Sequence, residues 1–176
     1  MFARSVFSVL FVVVLATAPL VGEDKKPHEK EAGTNTRFER FKRLAGEWVG
    51  NEQGKEGHEV RVQYKVTSGG SAVVETIAPG TEHEMVSVIH PDGADLILTH
   101  YCMLGNQPQM KASGGGHGNK IEFKFVRATN MKSDKDMHMH DATFTFVDQD
   151  TLTSEWTAYT GGKAAEHAVF KLKRKK

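Results

Sequence analysis

The chain has 176 residues, 23 basic and 22 acidic, with nine histidines and a single cysteine. One cysteine excludes any intramolecular disulfide, so the fold must rest on its core, and the balanced charge offers no basic stripe for nucleic acid. Only the tail Lys171–Lys176 is locally basic, which fits a solvated strand end.

Arg4, the apolar run Val6–Leu15 and the small residues Ala16-Thr17-Ala18 have the layout of a secretory signal peptide, with cleavage expected near Gly22. Residues 1–22 are therefore expected to be removed, leaving an exported (periplasmic or extracellular) protein with no stable membrane span. The mature chain then holds 22 residues of each sign. Residues 23–35 are charged and poor in apolar side chains, as in a flexible leader. Thr36 is placed to cap a short helix carrying Phe38, Phe41 and Leu44 and ending at Gly46.

From Trp48 onward the pattern is period-2 alternation. Val60-Val62-Tyr64-Val66, Ile121-Phe123-Phe125 and Phe170-Leu172 each alternate with polar residues. Strands are expected near 47–52, 58–67, 72–77, 84–90, 95–103, 109–113, 120–127, 137–147, 151–159 and 165–174, with Gly, Asp and Ser turns between them. A meander of this length tends to close and remove its edges. The fold class is thus all-β: one domain over 36–176, an antiparallel up-and-down β-barrel of about 8–10 strands with a short N-terminal helix.

The helix running into Gly46-Glu47-Trp48 resembles the opening of lipocalin-like (calycin) barrels, in which the tryptophan packs at the closed end. The resemblance implies a basic residue of the last strand against that tryptophan, and Arg174 is the matching position. His100 to Met110 also resembles a family of exported bacterial lipocalin-like domains of unknown function. These resemblances imply a fold and carry no ligand with them.

Extending the alternation inward places His58, Tyr64, His100, Arg127, His138, His140, Trp156 and Glu166 among the apolar lining. So many polar groups suit a cavity better than a dry core. The expected function is an exported barrel binding a small, partly apolar ligand, held by His100, His138, His140, Arg127, Tyr64 and Trp156. A rival is a metal-dependent enzyme. His138-x-His140 puts two imidazoles about 6.6 Å apart on one strand face. With His100 or His58 they would hold zinc or iron, and Glu166 would serve as general base. His167 lies where haem-binding barrels of the nitrobindin type place an iron ligand, although its phase opposes Phe170. Cys102, in phase with Leu96 and Leu98, is expected to be buried and inert.

Overall fold

A computed structural model describes residues 32–176 apart from 56, 58 and 113–117, with side chains from residue 36. The proposed signal peptide at 1–22 and His58 lie outside the described residues. Helix α1 (Ala32–Arg43) is followed by ten strands: β1 (Gly46–Glu52), β2 (Glu59–Thr67), β3 (Ala72–Ile77), β4 (Met85–Asp92), β5 (Asp95–Tyr101), β6 (Gln107–Ala112), β7 (Lys120–Thr129), β8 (His138–Phe146), β9 (Thr151–Thr160) and β10 (Lys163–Arg174). Each strand pairs antiparallel with the next, and β1 pairs with β10 to close the barrel. Closure leaves no edge strand to template aggregation. The helix begins four residues before Thr36, at Ala32.

The inner face of the barrel is apolar along most of its length. Val73, Ile77, Ile89, Leu96, Leu98, Met110, Phe123, Phe144, Leu152 and Leu172 belong to one buried cluster. Helix α1 plugs one end. Its Phe41 is fully buried, with ring centroids 5.1–5.9 Å from Phe123, Phe144 and Phe146 in edge-to-face geometry. Burying such a ring contributes about 2–3 kcal/mol before the extra gain from ring geometry.

At the junction of plug and barrel, Trp48 is fully buried and its Nε1–H donates to Leu44 O at 2.7 Å. Arg174 lies directly opposite Trp48 in the β1–β10 register and stacks over the indole at 4.4 Å. Its guanidinium donates to Ala45 O at 2.8 Å and Arg43 O at 2.7 Å, carbonyls that the end of the helix leaves open. Gly46 makes this corner with φ +127°, a conformation costly for any other residue, and a Cβ there would meet Arg174 Nη1 at 3.3 Å. The expected basic partner of the tryptophan is therefore in place.

Candidate functional site

One row across the barrel wall departs from the apolar pattern. The register pairs Tyr64 of β2 with Glu75 of β3, Glu75 with Ser87 of β4, and Ser87 with His100 of β5. All four are buried, none more than 2% exposed. Each lies in phase with core neighbours: Glu75 between Val73 and Ile77, Ser87 beside Ile89, His100 beside Leu98. Strand pairing thus turns four residues scattered over 37 positions of sequence into one inward-facing polar line.

The line is hydrogen-bonded along its length. Tyr64 O–H donates to Glu75 Oε1 at 2.7 Å, and Ser87 Oγ lies 3.0 Å from His100 Nδ1. Burial raises the Glu75 carboxyl above its ordinary range, partly offset by hydrogen bonds from Tyr64 and Ser87. Burial, then the charge and hydrogen bond of Glu75, push the Tyr64 phenol well above its usual value. Burial alone pulls His100 down to about 4, so its imidazole is neutral at neutral pH.

Trp156 of β9 joins the row from across the interior, its ring centroid 4.9 Å from that of His100. Its register partners are Ala142 and Ala168, and the Phe144 ring packs edge-on against the indole with centroids 5.9 Å apart. Three atoms of the set are buried without a hydrogen-bond partner: Glu75 Oε2, His100 Nε2 and Trp156 Nε1. An unmet buried polar group costs about 1–3 kcal/mol, and three of the six such atoms among the described residues belong to this row and the tryptophan against it, which marks it as a candidate site.

Of the residues picked from the sequence, Tyr64, His100 and Trp156 are brought together here. The others are not, and a β-bulge accounts for Arg127. The register shifts between Met139 and Asp141, so His138 pairs with Tyr159, and its side chain is buried there at 3% exposure, apart from the Tyr64–His100 row. His138 Nε2 lies 3.1 Å from His140 Nδ1, and His140 stacks on Tyr159 with centroids 3.8 Å apart. Phe125 completes this cluster at 4.6 Å from His138 and 4.7 Å from His140. Partial burial lowers His140, helped by His138 and Lys124 and opposed by Asp141.

A second shift, between Gln109 and Met110, aligns Arg127 with Gln109, to which it donates at 3.1 Å from an exposed position. Arg127 thus faces solvent instead of the interior. Glu166 is exposed, which removes the buried setting a tuned general base needs. His167 pairs with Thr157 and bonds its hydroxyl at 3.1 Å on the exposed side, away from any interior haem. Cys102 lies past the end of β5 and is only half-buried, and partial burial still raises its thiol.

Among the described residues, no three His, Cys, Asp or Glu side chains are grouped to hold a metal ion. His100 and the His138–His140 pair belong to separate clusters, so the set of His138, His140 and His100 does not form, and the alternative with His58 lies outside the described residues. Glu75 and Ser87 were missed by the sequence reading. Their signal was available in Val73-x-Glu75-x-Ile77, a carboxylate on the apolar phase of a short strand.

No protein-family model matches the chain, and no curated protein matches it in sequence. Among solved structures it is similar to Rv2717c from M. tuberculosis, at 14% identity with a TM-score of 0.58. The match covers 79% of this chain and 97% of that one. At that identity the likeness shows a shared barrel fold and nothing of the ligand.

Proposed function

We propose that the protein is an exported carrier or receptor that binds a small, partly apolar molecule inside the barrel, with a polar head group against Glu75, His100 and Trp156. The observation that carries this reading is the set of three unpartnered buried atoms, two on the polar row and one on the tryptophan against it, in an otherwise apolar interior. Ligand sites combine apolar walls with a few fixed polar groups, and the row supplies that combination. Tyr64 and Ser87 hold Glu75 and His100 in orientation. Export is supported by the Arg4 and Val6–Leu15 pattern at the start of the chain.

The test is calorimetric titration with four probes that share a hexyl tail and differ in head group: hexan-1-ol, hexanamide, hexanoate and hexylamine. Saturable binding of at least one, at one per chain, is expected in the wild type and not in a His100→Phe/Trp156→Phe double variant. Absence of saturable binding for all four, or binding unchanged in the double variant, would overturn the proposal.

A further inference from the structure

Glu75 is the residue of the row that constrains the ligand most. It is 1% exposed, and no salt bridge reaches it among the described residues. Its neighbours on β2 and β4 are the hydroxyls of Tyr64 and Ser87, and the imidazole of His100 follows on β5. The one arginine buried among the described residues, Arg37, is engaged elsewhere, donating to Ala112 O and Ala94 O from the helical plug. A carboxylate removed from water needs a cation or a full set of donors, and this one has an oxygen with neither.

Proton counting along the row narrows the choice. An ionised Glu75 only accepts, and it draws the Tyr64 proton and the single Ser87 hydroxyl proton toward itself. Ser87 then has no proton left for His100, so Nδ1–H of the imidazole donates to Ser87 Oγ. The neutral ring is fixed in the tautomer whose Nε2 carries a lone pair. With Glu75 ionised, as a bound cation would make it, two acceptors, Glu75 Oε2 and His100 Nε2, are left with one net negative charge between them. The Trp156 indole, 4.9 Å from the His100 ring, adds an aromatic surface that favours a cation.

We propose that the ligand is a small organic ammonium ion, a primary amine carrying an apolar tail. Its N–H groups fill Glu75 Oε2 and His100 Nε2, and its charge is balanced by Glu75. A carboxylate head would put a second negative charge beside the first. An alcohol has one proton for two acceptors, and an amide leaves the charge of Glu75 unmatched. This inference rests on the ligand-binding reading above and can fail without it.

The experiment uses the same four hexyl probes at pH 7.5 on the full protein, with wild type and Glu75→Gln side by side. Glutamine keeps the shape and still accepts from Tyr64. Hexylamine is expected to bind about tenfold or more tighter than the other three in the wild type, and to lose at least about tenfold in Glu75→Gln, as removal of a buried charge-assisted bond implies. A second comparison needs no variant. Hexyltrimethylammonium has the same charge and no N–H, and is expected to bind about tenfold more weakly than hexylamine. Equal or tighter binding of hexanamide, hexan-1-ol or hexanoate would overturn the ammonium assignment while leaving the carrier reading intact. Hexylamine binding that ignores both Glu75→Gln and methylation would do the same. No binding by any probe would remove both.

Discussion

The two tryptophans of the chain sit in opposite circumstances. Trp48 is fully buried with its N–H bonded to Leu44 O, an arginine over its face and Tyr64 edge-on at 6.4 Å. Trp156 is equally out of water at 3% exposure, yet its N–H has no partner and its register neighbours are alanines. A satisfied indole locks two elements together. An unsatisfied one is retained at a cost to stability, and that cost points to a role outside folding. The comparison separates a structural end of the barrel, where plug and wall are joined, from a band of the interior arranged for something else.

The largest effect is expected at the structural end. Trp48→Ala removes a fully buried indole, its hydrogen bond and the platform for Arg174, and should cost about 3–5 kcal/mol in urea unfolding. A loss below about 1 kcal/mol would mean that the plug is not held through this residue.

Most of this architecture was legible in the sequence. The alternation and the turn residues gave ten strands near their observed places, and Gly46-x-Trp48 with Arg174 marked the closed end. The site was half legible. Tyr64, His100 and Trp156 follow from phase alone, since nothing interrupts the alternation near them. Arg127 was misplaced because one extra residue at the β6–β7 bulge inverts the phase beyond it, whereas His138 is buried as its phase implies but in a cluster of its own with His140, Phe125 and Tyr159. A bulge leaves no composition signal, so a period-2 pattern carried through it puts side chains on the wrong face. Glu75 was overlooked for a different reason: a charged residue at a core position reads as an exception until its neighbours across the sheet are known.

A second effect separates the interior band by pH. His100 titrates near 4 in the folded chain against 6.5 when exposed. Above pH 6.5 it is neutral in both states and adds no slope. As the pH falls from 6.5 towards 4, the unfolded chain takes up a proton that the folded chain refuses, so stability drops by up to roughly 3 kcal/mol. Glu75 acts with the opposite sign. Its raised folded value gives a contribution that is full below 4.5 and lost as pH rises through the folded pKa. In urea titrations across pH 4–7, His100→Gln should lose the acid-side decline assigned to the imidazole. A variant that declines as steeply as the wild type would place the acid sensitivity elsewhere.

Arg174 gives a smaller, graded effect. Its side chain is 24% exposed and also faces Asp150 at 3.3 Å, a partly solvated pair that contributes little. The stacking on Trp48 and the two bonds to helix carbonyls carry most of its weight, so Arg174→Ala should cost about 2 kcal/mol. Arg174→Lys keeps the charge but not the planar fork, and should fall between alanine and wild type. Lysine equal to arginine in thermal denaturation would reduce the role of the fork to charge alone.

The smallest change tests the comparison most sharply. Trp156→Phe keeps an aromatic ring beside His100 and deletes the one indole N–H that has no partner. Losing part of a buried ring costs stability, while removing an unmet buried donor returns some of it, so the net should lie within about 1 kcal/mol of zero. The matching change at the other end, Trp48→Phe, deletes an N–H that is bonded at 2.7 Å and leaves Leu44 O without it. It should therefore cost measurably more than Trp156→Phe in the same urea assay. Were the two substitutions to cost the same, the Trp156 N–H would have to be satisfied within the folded chain, and the interior band would lose one of its three unpartnered atoms.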